Sequence, residues 1–226
     1  MKAKVKEEIG AHMKAAIFDL DGTLVDSLNS ITYCTNKTIA RFGYDPFDKD
    51  RYRYFVGDGM AELLKRALLA SGDTDLICLK EAKEIFTECF KEDCMYRVAP
   101  YPGVVDTLLE LKRRGIFLAV NSNKPHDRAV DVVQTLFGDE LFDMILGQMP
   151  KFRAKPSPDG VRHIVKTCNL NLVDTVYIGD TSTDMKTGKA AGIYTVGVLW
   201  GFRDRKELEE NHADAIIAHP AELLKL

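Results

Sequence analysis

Residues 15–24 read Ala15-Ala16-Ile17-Phe18-Asp19-Leu20-Asp21-Gly22-Thr23-Leu24. Ala15 to Phe18 is a short apolar run that stops at an acid, followed by a second acid and a glycine. A run of that length closed by turn residues reads as a buried strand feeding a loop. Two acids two residues apart, directly after such a strand, can point the same way into a crevice. In an open parallel sheet the carboxyl edge of the strands is where ligands sit.

The same grammar returns at Ile116–Val120, Met144–Leu146, Thr175–Ile178 and Tyr194–Leu199, with a weaker echo at Ala215–Ala218. Helical faces lie between these runs. Val104, Leu108 and Leu111 form one, Val130, Val133 and Phe137 another, and Val161, Ile164 and Val165 a third. Met185 to Ala191 read as a short fourth helix. Strand–helix alternation predicts an α/β fold, a doubly wound, Rossmann-like parallel sheet covered on both faces with right-handed crossovers.

One stretch breaks the rhythm. From about Ser27 to Arg97 no β-rich run appears, and the apolar residues fall at helical spacing: Leu28, Ile31, Thr35 and Ile39; Leu63, Leu64, Ala67 and Leu68; Ile85, Phe86, Cys89 and Phe90. Gly57-Asp58-Gly59 and Ser71-Gly72-Asp73 punctuate it, and Ala99-Pro100-Tyr101-Pro102-Gly103 marks the return. The expected organisation is a core of residues 13–26 and 100–226 with an all-helical insert over 27–99, placed after the first strand. Residues 1–12 are charged and weakly patterned. They read as an extension, native or added with an expression vector, and carry no weight in the fold.

The bulk properties exclude several classes. A net charge of −3 and a pI of about 6.0 leave no electrostatic footprint for nucleic acid. No apolar run reaches the length of a bilayer span, and the N-terminus lacks the apolar stretch of a secretory signal. The five cysteines (Cys34, Cys78, Cys89, Cys94 and Cys168) are odd in number and show no C-x-x-C spacing, so free thiols in a reducing cytoplasm are expected.

Three more clusters of polar residues accompany the first acidic pair. They are Val120-Asn121-Ser122-Asn123-Lys124, Lys155-Pro156, and Ile178-Gly179-Asp180-Thr181-Ser182-Thr183-Asp184. The first and third of these follow predicted strands, so all can meet Asp19 and Asp21 at one sheet edge. Carboxylates repel a phosphoryl group unless cations neutralise them. A Mg²⁺ ion held by Asp19 and Asp180 does so, because hard oxygen ligands suit it. Lys155 adds a fixed positive charge, and the Ser122 hydroxyl with nearby backbone N–H groups can hold phosphate oxygens. An aspartate is already ionised at neutral pH, so Asp19 needs no base to act as nucleophile. Asp21 is placed to protonate the leaving group and then to activate water.

In this combination the sequence resembles the phosphatase branch of the haloacid dehalogenase superfamily, through D-x-D-G-T, strand-end Ser122, Lys155 and G-D-x-x-x-D, over essentially the whole chain after Met13. The resemblance implies that Asp19 is nucleophile and metal ligand, that the Asp21 main-chain carbonyl and Asp180 complete the protein ligands to Mg²⁺, and that Asp184 supports the metal shell or Lys155. Ser122, Asn123 and Lys155 are the implied phosphate-binding set. Ser122 aligns with a threonine that is commoner in relatives, because Asn123-Lys124-Pro125 then matches T-N-K-P. An aspartate at position 21 points to phosphatase or phosphomutase chemistry, since carbon–halogen cleavers carry tyrosine there and phosphonate cleavers alanine. The helical insert matches the family's mobile cap.

Within that branch, Tyr54-Phe55-Val56-Gly57-Asp58-Gly59-Met60 and Leu63-Leu64-Lys65-Arg66-Ala67-Leu68 are similar to the cap of phosphoglycolate phosphatases. Gly57, Gly59 and Arg66 are the expected cap contacts. Arg53, Lys65 and Arg66 are the cations offered for a substrate carboxylate. The expected substrate is a small phosphate monoester, 2-phosphoglycolate first. Pyrophosphatase, sugar-phosphate phosphatase and β-phosphoglucomutase-like activities are the enzymatic alternatives, and a phosphate-binding regulator is the non-enzymatic one. Receiver domains share the acidic pocket but are smaller and carry no helical insert after the first acidic pair. Asp184 also reads as an early-helix acid, His126 as a loop histidine, Arg51-Tyr52-Arg53-Tyr54 as a solvated face, and Trp200-Gly201-Phe202-Arg203 as packing at the rim. A monomer or homodimer that binds neither nucleic acid nor membrane is expected.

Overall fold

The computed structural model describes residues 13–226, so the expected extension at 1–12 lies outside the described residues. The chain enters through β1 (Ala15–Phe18) and a two-residue strand β2 (Val25–Asp26). Four helices follow, α1 (Leu28–Ala40), α2 (Lys49–Tyr52), α3 (Met60–Ser71) and α4 (Leu79–Asp93), and then the short strand β3 (Ala99–Pro100). Strands and helices alternate from there: α5 (Val104–Arg113), β4 (Phe117–Pro125), α6 (His126–Phe137), β5 (Met144–Gln148), α7 (Asp159–Thr167), β6 (Thr175–Gly179), α8 (Ser182–Ala191), β7 (Tyr194–Val198), α9 (Arg205–Glu210) and β8 (Ala215–Ile217).

The main sheet has the order β5-β4-β1-β6-β7-β8, and every pairing in it is parallel. β1 lies inside, with Phe18 in register with Val120 of β4 and Ile178 of β6. Alternate residues of a strand face opposite sides of the sheet. Ala16 and Phe18 join Leu108, Leu111, Val132 and Val133 beneath α5 and α6. Ile17 joins Tyr177, Val161 and Ile164 beneath α7 and the opposite layer. Both faces are thus covered, which is why the strand sequences are mainly apolar.

Helices α1 to α4 build their own apolar centre, where Leu28, Leu63, Leu64, Phe86 and Phe90 meet around Tyr52. The two passages between this helical segment and the sheet pair with each other as the antiparallel strands β2 and β3, Val25 against Pro100 and Asp26 against Ala99. Two residues a side leave no periodicity to read, so this pairing has no signature in the sequence. Among the described residues no helix is long and apolar enough to cross a membrane.

Several sequence expectations need adjustment. β4 continues past Val120 to Pro125, because Asn121–Lys124 are extended and buried despite their polarity. α8 starts at Ser182 rather than near Met185, with Thr181 and Asp184 forming a capping box that supplies its first bonds. In α6 the innermost residues are Ala129, Val132 and Val133, while Val130 and Phe137 are only partly covered, since the small alanine permits the closest approach. In α4 it is Ala82, Phe86 and Phe90 that are buried, with Ile85 and Cys89 at the margin. Tyr52 is not on a solvated face. It is fully buried, and its hydroxyl donates to Asn36 Oδ1 at 2.6 Å, which satisfies the one polar atom it carries inside.

α8 lies so close to the sheet that a Cβ on Gly188 would overlap the Thr195 side chain and stand 3.1 Å from Tyr177 Cβ. In an open helix Gly→Ala gains about 1 kcal/mol. Here the overpacking cost, about 1–3 kcal/mol, wins. Gly188→Ala is therefore expected to lower the unfolding free energy in urea, and a stabilised variant would contradict this packing.

Candidate active site

The carboxyl ends of β1, β4 and β6 bring the polar clusters together. Asp19 leaves β1 with its N–H donating to Ile178 O at 2.9 Å, which fixes the backbone at the strand end. Its Oδ1 accepts from the Leu20 N–H and from Lys155 Nζ, each at 2.7 Å. Lys155 Nζ also donates to Asp184 Oδ1 at 2.7 Å. The second oxygen of Asp184 accepts from Thr181 N (3.1 Å) and Thr181 Oγ1 (2.7 Å), so Asp184 both caps α8 and orients the lysine. Both roles read from the sequence for Asp184 are occupied by one side chain.

Asp180 is fully buried. Thr23 Oγ1 donates to its Oδ1 at 3.1 Å, and Phe202 N donates to its Oδ2 at 2.8 Å. Gly22, at a φ of 89°, and Gly201 pack against this carboxylate so closely that a Cβ on either would overlap it. The Trp200–Arg203 segment is thus a wall of the site and not rim packing alone. The Trp200 indole N–H donates to Thr23 O at 2.9 Å, holding the loop that carries Thr23.

Asn123 braces Lys155 from both sides of its backbone, accepting from Lys155 N at 2.8 Å and donating to Lys155 O at 3.2 Å. Ser122 Oγ accepts from Lys124 N at 3.1 Å. Asp21 also lines the cleft, its Oδ1 accepting from Lys124 Nζ at 2.8 Å. That ion pair was not foreseen from the sequence. The only signal for it was the position of Lys124 immediately behind the Ser122-Asn123 pair. His126, expected in a loop, is the first residue of α6, and its Nδ1 accepts from Gly147 N at 3.2 Å.

Asp19, Asp180 and Asp184 each offer an oxygen within 4.8 Å of the others, all buried. Burial pushes Asp19 well above the ordinary carboxylate range, Asp184 adds to the rise, and Lys155 only partly opposes it. Burial likewise pushes Asp180 up to about 7, with Asp184 contributing. For Lys155, burial works against the ammonium, but Asp184 and Asp19 outweigh it and hold the lysine above its usual range. The Lys155 ammonium pairs with Asp19 and Asp184, and Asp180 adds a third carboxylate beside them. An all-oxygen, anionic, undercompensated donor set of this kind fits a hard divalent cation such as Mg²⁺.

A cleft opens above these groups. Asp19, Asp21, Ser122, Asn123, Lys124 and Lys155 line its floor. Gly57 and Gly59, both at positive φ, line it from the helical segment. Arg66 does not line it. Its guanidinium pairs with Asp58 and donates to Phe55 O at 2.8 Å, while the other Asp58 oxygen accepts from Thr183 Oγ1. Arg53 donates to Gly201 O at 3.2 Å and Lys65 pairs with Glu62 at 3.7 Å. None of the three cations offered for a substrate carboxylate lines the cleft here, because sequence spacing does not reveal which way a long side chain points.

Comparison with known proteins agrees with this architecture. The profile described as haloacid dehalogenase-like hydrolase matches residues 16–198. The phosphoglycolate phosphatase of Aquifex aeolicus is 30% identical over 214 residues, which cover 95% of this chain and 96% of that protein. Phosphoglycolate phosphatase 1 of Pseudomonas aeruginosa is 31% identical, with 93% and 78% covered. Among solved structures, a haloacid dehalogenase-like family hydrolase from Streptococcus pneumoniae superposes with a TM-score of 0.84 at 29% identity, covering 95% of this chain and 98% of that one.

The electrostatics of Asp180 set a pH dependence. Its carboxyl has an ordinary value of 3.8 and is raised to about 7 in the fold. Between those values the folded state keeps a proton that the unfolded chain has lost. Metal-free stability therefore falls as pH rises through this window, by up to about 1.4 kcal/mol per pH unit for one proton. Asp180→Asn removes that contribution, so urea unfolding of metal-free protein from pH 4 to 7 should show a flatter decline in the variant. Equal slopes would remove Asp180 as the cause.

Proposed function

From the premise that the chain belongs to the haloacid dehalogenase-like hydrolases, we propose that it is a phosphatase that cleaves small phosphate monoesters through an aspartyl-phosphate on Asp19. The observation that carries this reading is the buried Asp19–Lys155–Asp184 chain beside Asp180, with a second acid, Asp21, lining the same cleft. Every acid that the chemistry needs is present, which disfavours a regulator that only binds phosphate.

The residues divide the work by their positions. Asp19, Asp180 and the main-chain carbonyl of Asp21 would hold Mg²⁺, which supplies charge neutralisation and keeps the carboxylates ionised. Asp19 attacks phosphorus through Oδ2, the oxygen that Leu20 and Lys155 leave free of their bonds. Lys155 and the donors around Ser122 and Asn123 steady the phosphoryl oxygens as negative charge spreads over them. Asp21 gives its proton to the departing alkoxide as the oxygen–phosphorus bond breaks. It then takes a proton from the water that attacks phosphorus and releases phosphate and free Asp19. The helical segment over residues 27–99 acts as the cap, excluding bulk water from the acyl phosphate. The five cysteines are free thiols, which fits a cytoplasmic enzyme.

Two curated relatives named as phosphoglycolate phosphatases, each about as long as or longer than this chain, make 2-phosphoglycolate the leading substrate. Steady-state kcat/KM across phosphoglycolate, glucose phosphates and pyrophosphate should favour phosphoglycolate. A tenfold lead for either competitor, about 1.4 kcal/mol, would replace that substrate and leave the phosphatase reading standing.

Thorough chelation should abolish hydrolysis of an aryl phosphate, and Mg²⁺ should restore it. Asp19→Asn should eliminate turnover and any acid-stable phosphoenzyme. Asp21→Asn should reduce turnover by about 10²–10⁴-fold while retaining the metal site. Near-normal rates in Asp19→Asn would rule out the covalent route.

A further inference from the structure

A carboxylate on the leaving group needs a cation, and the helical segment presents none to the cleft. Its contribution to the wall is Ile31, Val56, Met60, Leu63, Phe86 and Phe90, with the backbone of Gly57 and Gly59. Arg53, Lys65 and Arg66 are held by Gly201, Glu62 and Asp58. Among the described residues two ammonium groups line the cleft, Lys155 and Lys124. Lys155 sits between Asp19 and Asp184, on the side where phosphoryl transfer is placed. Lys124 is different. Its side chain is 2% exposed, its Nζ pairs with Asp21 at 2.8 Å, and the same atom stands 4.8 Å from the centre of the Phe90 ring. It therefore lies where the acidic floor meets the apolar wall.

We propose that Lys124 is the specificity residue of the site, binding the carboxylate of a short acidic leaving group while keeping Asp21 beside the ester oxygen. This rests on the reading of Asp21 as the group that protonates that oxygen. Asp21 must then come within hydrogen-bond reach of it. In a two-carbon acid the carboxylate oxygens lie about 3 Å from the ester oxygen by standard bond lengths. An ammonium 2.8 Å from Asp21 Oδ1 can span both groups with its remaining donors. The apolar wall beyond supplies the other half of the selection. Hydroxyls of a sugar or oxygens of a second phosphate would lose their water there without gaining partners. One cation at the margin of an apolar chamber selects a leaving group that is small and singly charged.

The test compares 2-phosphoglycolate with 2-hydroxyethyl phosphate, which has the same length and no carboxylate. The ratio of their kcat/KM values cancels any effect of Lys124 on Asp21 that both substrates share. The wild-type enzyme should prefer phosphoglycolate, and Lys124→Met should shrink that preference by about 10- to 100-fold, mainly through KM. Lys124→Gln, which keeps a donor for Asp21, repeats the measurement without leaving that carboxylate unpaired, and should lose the preference as well. If the wild type prefers phosphoglycolate and both variants keep the preference, Lys124 acts only on Asp21 and the proposal falls while the substrate reading stands. A wild-type enzyme without the preference overturns both, leaving only the phosphatase reading.

Discussion

The ammonium of Lys155, enclosed by Asp19 and Asp184 at 2.7 Å each, is the contact on which the arrangement of the site depends. It joins the end of β1, the loop before α7 and the N-terminus of α8 at one atom. Removing one member of a buried charge pair leaves its partner uncompensated and costs about 3–5 kcal/mol. The surrounding structure defends the contact accordingly. Asn123 fixes the lysine backbone through both its N–H and its carbonyl, and Thr181 ties down the far oxygen of Asp184. The charge balance of the three clustered carboxylates stays negative even so.

The cleft joins two surfaces of opposite character. Its floor comes from strand ends and carries the charges. Its roof comes from helices whose apolar faces are shared between their own centre and the cavity. The two are pinned together along the edge of the cleft. Asp58 bridges Arg66 and Thr183, burial opposing its charge while these partners outweigh burial and hold it below the usual carboxylate range. Arg203 donates to the Val56 carbonyl at 2.9 Å, and Phe202 packs into the helical centre while its N–H serves Asp180. Seating of the helical segment and positioning of Asp180 are thus coupled through one short loop.

Much of the core could be read from the chain. Buried parallel strands are mainly apolar, and the six of the main sheet declare themselves in that way, although β4 runs on through the polar Asn121–Lys124. Acids that follow such strands must emerge at one edge, so the meeting of Asp19 and Asp180 follows from topology, whereas Lys155 is brought there by the loop between β5 and α7. The pairing of Lys124 with Asp21 did not, because it joins residues 103 positions apart and neither belongs to a periodic pattern. The two-residue strands β2 and β3 are too short to have a period. The direction of Arg66 has no signature in the sequence, because a long cation near a glycine-rich loop has several acids within reach, and only packing decides among them.

The sequence by itself determined the fold class, the layering of the sheet, the helical segment after the first strand and the set of polar residues at the strand ends. These depend on local periodicity and chain order, which are properties of the sequence. Only the tertiary structure decided which charges pair, which cations face the cleft and how apolar its roof is. Those outcomes depend on side-chain direction and on distances between residues far apart in the chain, and a few ångströms separate an arginine that meets a ligand from one bound to Asp58.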